Sequence, residues 1–404
     1  MRSVQEHLAA CLAAVGPQPP LEVVLADAVG CVLAEDVLAS RDLPLADVAS
    51  LDGYALRAAE VADAAPSSPV ALRVLDEIRA GSVERTRLPA GACVRIASGA
   101  PLPVEADAVV PVEQTDRGTA KVEVRTAPAV GENVNRRAQD VRAGEVVLPA
   151  GERVGARQVA LLSAVGRGRV TVHPRPRVVV VSVGDELVEP GQTAAAGQVY
   201  DANGHALAAA LHDAGAATYR VAAVPDQRGP LRETLEDQLV RADLVVTTGG
   251  LSHGSNDTVK EVLAPLGTVR FDNVAMWPGR QLGLGHIGDG TPIFALPGDP
   301  VAAQVAYEVF LRPAVLSMAG YSELYRPTVT ATATAGWYSP SGRREFVRVT
   351  LTGSPREGYR AAPVGSPGKL LLSSLARANA LAVVPEDLTD VTEGTALSCL
   401  VLDA

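Results

Sequence analysis

The stretch LVVTTGGLSHGSNDTVK, residues 244–260, organises the rest of this chain. A β-branched run over 244–248 that stops at Gly249-Gly250 predicts a buried strand whose end lies close to another chain segment or a ligand. Residues 252–256 include helix N-cap types, and a helix N-terminus presents free N–H groups to an anion. Asp257 either complements the helix dipole, the simpler interpretation for this loop alone, or handles a metal ion or a proton.

Strands alternate with helices on both sides of this stretch. The segment RVVVVSV predicts a buried strand, and TYRVAAV and IFAL predict two more. Helices are predicted over residues 203–214, 231–242, 258–266 and 301–311. Such alternation predicts parallel βαβ units with helices on both faces of the sheet.

The flanking regions have other patterns, which predict a multidomain α/β protein. Residues 3–15 predict a helix, while short β-like runs over 70–124 and again from about Pro327 predict two β domains. We divide the chain into an N-terminal and linking domain (1–40 and 141–176), an inserted β domain (41–140), an α/β domain (177–322) and a C-terminal β-barrel (323–404).

Composition excludes several classes of protein. The chain has 404 residues and a net charge of −10, which argues against general nucleic-acid binding. Its four cysteines are scattered without a CxxC pair, no apolar run is long enough to span a bilayer, and no signal peptide is visible. We therefore expect a cytoplasmic protein that binds neither nucleic acid nor membrane.

Acidic residues follow three of the predicted strands. They are Asp185-Glu186, Asp257 and Asp299, each in or after a Gly-containing turn. Ligands of open parallel sheets bind at the carboxyl ends of the strands, and a hard cation there needs oxygen ligands. This pattern favours a metal-assisted phosphate or pyrophosphate site. Glu186 and Asp299 also suit helix capping, which we prefer for Asp299 because Pro300 follows it.

The remaining motifs are less informative. There is no Walker A sequence, the six histidines lack zinc-ligand spacing, and Gly283–Gly288 fits the dinucleotide fingerprint only by letter, since a strand follows it. Arg280, Arg348 and Lys369 can hold an oxyanion only if the fold brings them together.

Colinear motifs along the whole chain give a specific resemblance. They are SLDGYALR (50–57), RIASGAPLPVEADAVVPVE (95–113), SVGDEL (182–187), GQVYDANGHAL (197–207), TTGGLSHGSNDTVK (247–260), VAMWPGRQ (274–281), LPGDPVAA (296–303) and SSLARANAL (373–381). Together they resemble the molybdopterin molybdenumtransferases of the MoeA family, which includes the E domain of gephyrin. The resemblance implies a homodimer of four-domain subunits. It also implies insertion of molybdate into adenylylated molybdopterin with Mg²⁺-dependent release of AMP.

The resemblance also implies roles for individual residues. Asp52, supplied by the partner subunit, Ser98, Asp185, Glu186 and Asp257 would be catalytic, and the last three would handle Mg²⁺. The glycine-rich loop would hold the pterin phosphate through backbone N–H groups. The implied substrate-binding residues are Ser182, Gly184, Gly249, Gly250, Ser252, Gly254, Lys260, Arg280, Pro297, Gly298, Asp299, Arg348 and Lys369.

The chain departs from the family pattern around the oxyanion pocket. The usual KPGKP is Trp277-Pro-Gly-Arg280-Gln281 here, PGNPVS ends in Ala302, and Lys369 replaces a residue of the family's GS turn. Arginine and lysine present different donors to an oxyanion. Alternatives to the molybdate enzyme are therefore a tungstate-using or non-catalytic paralogue and a molybdopterin-binding scaffold protein. The sequence also leaves open other cofactor-biosynthesis proteins as partners.

Overall fold

A computed structural model of the chain describes residues 1–82, 87–251 and 257–403. Within those ranges no helix combines the length and the apolar character needed to cross a bilayer. The elements fall into a linking region, an inserted β domain, an α/β domain and a C-terminal barrel. The multidomain α/β fold predicted from the sequence is therefore confirmed.

The first 140 residues hold the start of the linking region and the inserted β domain. The elements of the linking region are α1 (Val4–Ala13), β1 (Leu21–Val24), α2 (Leu25–Ala28), β2 (Val32–Leu33) and β3 (Val37–Leu38). Those of the inserted domain are β4 (Val48–Ala49), β5 (Gly53–Leu56), β6 (Val70–Ile78), β7 (Ala92–Ile96), β8 (Ala108–Pro111), β9 (Lys121–Val124) and β10 (Val134–Asn135), with 3₁₀ turns at Ala58–Val61 and Val112–Gln114. The sheet of the inserted domain has the order β8-β5-β7-β6-β9 and packs a separate apolar core on each face.

The chain then returns to the linking region. Its elements are β11 (Val146–Leu148), α3 (Ala156–Ala164) and β12 (Arg169–His173). β12 lies antiparallel between β1 and β2, and β11 pairs with β3. The chain therefore enters the inserted domain over residues 39–48 and leaves it over residues 135–146.

The α/β domain follows in chain order. Its strands and helices are β13 (Arg177–Val183), β14 (Leu187–Val188), β15 (Val199–Tyr200), α4 (Ala202–Asp213), β16 (Ala217–Arg220), α5 (Arg228–Leu239), β17 (Leu244–Gly249), α6 (Thr258–Leu266), β18 (Arg270–Asn273), β19 (Met276–Trp277), β20 (Gln281–Ile287), β21 (Thr291–Leu296), α7 (Pro300–Ala306), a π-helical turn (Tyr307–Leu311) and α8 (Arg312–Met318). The helix predicted to end at residue 311 continues through the π-helical turn into α8. Pro313, which has no N–H to donate, directly follows that change in the hydrogen-bond pattern.

The central sheet has the order β16-β13-β17-β21-β20-β18, and its first four strands are parallel. Side chains of a strand point alternately to the two faces of a sheet. Val178 and Val180 of β13 accordingly join one apolar core, while Val179 and Val181 join the other. The uninterrupted valine run is thus a strand covered on both faces, as the sequence predicts.

The C-terminal strands close into a small barrel. The elements are β22 (Thr328–Ala333), β23 (Trp337–Tyr338), β24 (Arg344–Ser354), β25 (Gly358–Pro363), α9 (Leu372–Leu375), β26 (Ala380–Val384), β27 (Asp390–Val391) and β28 (Ala396–Val401). The order β24-β25-β22-β28-β26 closes because β26 also pairs with β24. Phe346 and Leu381 of the barrel pack into one core of the α/β domain, so the two domains share apolar contacts.

Helix α1 also packs against the α/β domain. Ser3 and Glu6 form a capping box at its start, and Val4 and Cys11 join the core that contains Phe310. His7 is 2% exposed, and its ring meets Phe310 edge-on with centroids 4.8 Å apart. Burial, reinforced by the nearby charge of Arg2, lowers the pKa of His7 to about 4.

We expect acid to weaken the docking of α1 through His7. The folded pKa of about 4 lies below the ordinary value of 6.5, so the unfolded chain binds the proton more readily. The free energy of unfolding should then fall by up to about 1.4 kcal/mol for each pH unit between those two values. Denaturant titrations of the unsubstituted protein and of His7→Phe between pH 7 and 4 measure this term, and the phenylalanine variant should lose less stability on acidification.

His212→Gln, at an exposed position on α4, is the control. Parallel stability curves for the unsubstituted protein and His7→Phe would contradict the assignment.

Candidate active site

A cleft borders the carboxyl ends of the parallel strands. β13, β17 and β21 are adjacent in the sheet and end side by side. The cleft has a volume of about 320 Å³, and its walls include Glu186, Gly249 and Gly298. This is the position at which open parallel sheets bind their ligands.

Glycines allow these strand ends to approach one another. Gly249 has φ +89°, and a Cβ there would lie 2.2 Å from the carbonyl oxygen of Val183. A Cβ on Gly250, which has φ +63°, would lie 2.4 Å from Cγ2 of Val259. A Cβ on Gly298 would meet Cα of Gly249 at 3.3 Å. The close approach predicted for the two glycines therefore includes contacts with the chain itself. Their binding of a pterin phosphate stays a prediction, and the predicted Ser252 and Gly254 lie outside the described residues.

Ser182 is buried and bonded within the domain. Its hydroxyl donates to Oδ1 of Asp201 at 2.9 Å, and the backbone N–H of Gly204 donates to the same oxygen at 2.8 Å. Asp201 is the N-cap of α4 and also faces Arg220 at 3.4 Å. Ser182 thus ties the end of β13 to the start of α4 and also lines the cleft, and its contact with substrate stays a prediction.

The acidic turn after β13 is exposed and reaches toward a further aspartate. Asp185 and Glu186 are both exposed and follow the buried Gly184. Asp185 Oδ1 accepts a hydrogen bond of 3.1 Å from the backbone N–H of Asp226. Oδ1 of Asp226 is buried and has no hydrogen-bond partner among the described residues. Asp226 is therefore a candidate site residue that our sequence analysis missed. Its signal was a Pro-Asp pair shortly after another strand of the parallel sheet.

Asp257 precedes α6, and its carboxylate pairs with the ammonium group of Lys260. The same ammonium group lies 5.9 Å from the ring centroid of Phe271. In the described ranges, no three His, Cys, Asp or Glu side chains are grouped closely enough to hold a metal ion. Asp185, Glu186 and Asp257 are thus not preassembled as a metal cage, and their role as metal ligands stays a prediction.

The turn after β19 connects the cleft to the barrel. β19 pairs in parallel with β24, which places Trp277 opposite Glu345. The Trp277–Pro278 peptide is cis, and Gly279 has φ +85°. A Cβ on Gly279 would lie 3.2 Å from the Cβ of Ala302 and 3.3 Å from Cγ of Pro297. The turn that carries Arg280 therefore rests directly on the Pro297–Ala302 segment, and Gln281 begins β20 beside it.

Arg348 is a buried cation near this turn. The residue is 2% exposed, and its guanidinium donates to the Ser374 hydroxyl at 3.1 Å and to the Lys369 carbonyl oxygen at 2.5 Å. Burial lowers the pKa of Arg348, and the carboxylates of Glu345 and Asp299 oppose that shift. A buried guanidinium keeps its charge at neutral pH and is suited to bind an oxyanion.

The other predicted pocket residues have mixed positions. The Lys369 side chain is exposed, and only its carbonyl oxygen bonds to Arg348. Asp299 caps α7 by accepting a bond of 2.9 Å from the N–H of Ala302, with Pro300 next in the helix as the sequence predicted. Arg280 is half-buried in the turn after β19. Arg348, Asp299 and the Arg280 turn are thus brought to one region.

Asp52 and Ser98 lie together on the inserted β domain. The backbone N–H of Ser98 donates to Oδ1 of Asp52 at 2.8 Å, and the Ser98 hydroxyl donates to the Ser50 carbonyl oxygen at 3.3 Å. Within the described part of the chain, neither residue bonds to a residue of the cleft. Among the described residues, this pair is therefore not joined to the acidic turn by a hydrogen bond.

Comparisons with known proteins match nearly all of the chain. Three families match consecutive segments: the MoeA N-terminal region, domains I and II, at residues 2–166, the probable molybdopterin binding domain at 179–317, and the MoeA C-terminal region, domain IV, at 330–402.

Relatives align over almost their full length. Molybdopterin molybdenumtransferase 2 of Mycobacterium tuberculosis is 40% identical over 403 residues, covering 98% of each chain. The molybdopterin molybdenumtransferase of Bacillus subtilis is 30% identical, covering 94% of this chain and 89% of that protein. The solved structure of the molybdopterin biosynthesis MoeA protein from Pyrococcus horikoshii superposes with a TM-score of 0.83 at 30% identity, covering 100% of this chain and 99% of that one.

Proposed function

Because this chain belongs to the MoeA family, we propose that it inserts molybdate into adenylylated molybdopterin and releases AMP. The chain is a molybdopterin molybdenumtransferase by its relatives, and its role is in molybdenum cofactor biosynthesis. The observation that supports the reaction best is the buried Arg348, whose charge interacts with Asp299, the residue between Gly298 and Pro300 of the cleft wall. In this arrangement the cleft holds the pterin and its phosphates, and the cationic pocket holds the oxyanion next to them.

Magnesium fits the acidic side of the cleft as a partner of the substrate. The residues we assign to it are Asp185 and Asp226. Glu186 follows Asp185 directly, and Asp257 precedes Thr258, whose hydroxyl donates to the Asp226 carbonyl oxygen at 3.3 Å. The buried Oδ1 of Asp226, which has no hydrogen-bond partner among the described residues, supports this assignment. Mg²⁺ is usually held by one or two carboxylates together with substrate phosphates and waters, so a complete protein cage is not required. When bound, the ion would neutralise charge on the phosphoanhydride that is cleaved to release AMP.

We further propose that the active unit is a homodimer. Asp52 and Ser98 bond to each other but not to the cleft within the described residues. A second subunit, placed so that its inserted β domain covers the cleft, would bring this pair to the acidic turn. The interface would then be isologous, with each subunit completing the other's site.

An AMP-release assay tests the function. Purified full-length protein is incubated with adenylylated molybdopterin and Mg²⁺, with molybdate, with tungstate or with neither, and AMP is followed by chromatography. We expect AMP release that requires molybdate and stops when the Mg²⁺ is chelated. Release with tungstate alone would indicate the tungstate-using paralogue. Tight pterin binding without AMP release in either oxyanion would instead support the scaffold protein.

A further inference from the structure

Two buried side chains in the wall of the cleft, hydrogen-bonded to each other, hold the Pro297–Gly298 turn. Asn203 is 8% exposed at the start of α4, and Thr248 is 1% exposed near the end of β17. We propose that Asn203 and Thr248 are positioning residues for the oxyanion, because they fix the turn on which the anion pocket is built. This inference rests on the proposed function and deepens it.

The donors and acceptors of this network follow from its geometry. The Thr248 hydroxyl lies 2.8 Å from the Pro297 carbonyl oxygen, which can only accept, so the hydroxyl donates its proton there. The Asn203 amide nitrogen lies 2.9 Å from the Thr248 hydroxyl oxygen and 2.8 Å from the Gly298 carbonyl oxygen. Asn203 therefore donates both of its amide protons, which fixes the orientation of the amide.

The amide oxygen of Asn203 indicates which of its polar groups is important. Its Oδ1 is buried and has no hydrogen-bond partner among the described residues. A buried acceptor without a donor costs free energy of folding, so the value of this asparagine lies in its NH₂ group. That group and the Thr248 hydroxyl bond to two successive carbonyl groups of one turn. Together these hydrogen bonds fix the position of the Pro297–Gly298 turn relative to β17 and α4.

The Pro297–Gly298 turn lies between the cleft and the proposed anion pocket and contacts both. On one side, Gly298 packs against Gly249 at the cleft, as the 3.3 Å separation of its added Cβ from the Gly249 Cα indicates. On the other side, Gly279 of the turn that carries Arg280 packs against Pro297, since a Cβ added to Gly279 would lie 3.3 Å from Cγ of Pro297. A shift of the Pro297–Gly298 carbonyls would therefore displace the Arg280 turn and also Asp299, whose carboxylate acts on the charge of Arg348.

Loss of either side chain should let this turn move, and the oxyanion would then be misplaced. Neither Asn203 nor Thr248 needs to touch the oxyanion, because each acts through the turn. Misplacement of a reacting group by about 1 Å can lower a rate by about a hundredfold. We expect a smaller effect, about tenfold, when one of the two side chains is changed and the other still holds its carbonyl.

Thr248→Val tests the inference with a change of nearly constant shape. The matched control is Thr247→Val, because Thr247 is the preceding residue of the same strand, is 0% exposed, and its hydroxyl has no hydrogen-bond partner among the described residues. The dissociation constant of molybdate alone is measured by calorimetry, alongside the KM for molybdate, kcat and the melting temperature. Thr248→Val should raise the dissociation constant and the KM about tenfold, whereas Thr247→Val should leave both unchanged. Thr248→Ser, which retains the hydroxyl, should restore near-normal values.

Asn203→Ala provides a second, independent variant. It removes both donated protons and should weaken molybdate binding by at least as much as Thr248→Val. Folded Thr248→Val and Asn203→Ala proteins that bind molybdate like the Thr247→Val control would overturn the inference. Molybdate binding that falls only in step with the melting temperature, without rescue in Thr248→Ser, would also overturn it, since a merely structural role predicts that result. If the unsubstituted protein releases AMP, the proposed function holds, and the results for the variants then bear only on the positioning role of Asn203 and Thr248. If it releases none, the proposed function itself fails.

Discussion

Arg348→Leu is expected to lower kcat/KM for molybdate by about a hundredfold, the usual cost of removing one preorganised electrostatic group from an active site. Arg348 is buried, and its guanidinium bonds to Ser374 and to the Lys369 carbonyl oxygen. Leucine can fill much of the apolar part of the site but supplies neither charge nor donors. Steady-state rates of AMP release as a function of molybdate concentration measure the loss.

Two further variants make this result specific. Arg356→Leu changes an exposed arginine in the turn between β24 and β25 and should leave kcat/KM unaltered. Arg348→Lys retains the charge without the planar set of donors, so it should recover part of the activity. If the Arg348→Leu protein folds and has the same kcat/KM as the unsubstituted protein, the oxyanion binds elsewhere.

Asp185→Asn is expected to reduce AMP release by at least about a hundredfold and to raise the Mg²⁺ concentration that supports half of the maximal rate. The asparagine oxygen can still accept the bond from the Asp226 N–H, so the turn should keep its position. Asp185 is exposed, and the melting temperature should therefore change little. Asp387→Asn, at an exposed position in the barrel domain, is the control. A Mg²⁺ dependence equal to that of the control would remove Asp185 from the metal site.

Mixing variants extends this prediction to the proposed dimer. Asp52→Ala and Asp185→Asn should each be inactive alone. If Asp52 serves the partner's cleft, one site in each mixed dimer is intact, and about a quarter of the activity should return after subunit exchange. No recovery in proven mixed dimers would mean that Asp52 acts within its own chain or not at all.

Local patterns were sufficient for much of the α/β domain. The valine run at 178–181 predicted a strand covered on both faces, and Asp299 with Pro300 predicted the start of α7. These features depend on residues close in sequence, where periodicity and capping chemistry apply directly. Colinear motifs then supplied the family, which the comparisons confirmed.

Contacts between distant segments could not be predicted in the same way. Ser182 lies in a motif that suggested substrate binding, and the bond from its hydroxyl to Asp201 at the start of α4 could not be read from that motif. Asp226 reaches Asp185 across 41 residues of chain. The sequence named Arg348 as a candidate oxyanion residue, but its burial depends on the closed barrel and on its bonds to Ser374 and Lys369. Burial and hydrogen-bond partners of this kind are set by tertiary packing.

The pairing of β19 with β24 also bears on how such proteins diversify. One half of the proposed anion pocket is encoded at residues 276–280 and the other half in the barrel, about 70 residues later. The cleft is lined by residues between 182 and 300, together with Leu372. Exchange of the barrel between relatives would transplant Arg348 and leave the native Trp277–Arg280 turn in place. Selection for a new oxyanion can thus act on the barrel without altering the glycines that pack the cleft. A shortened paralogue without residues 323–404 would inherit the cleft and lose its buried arginine.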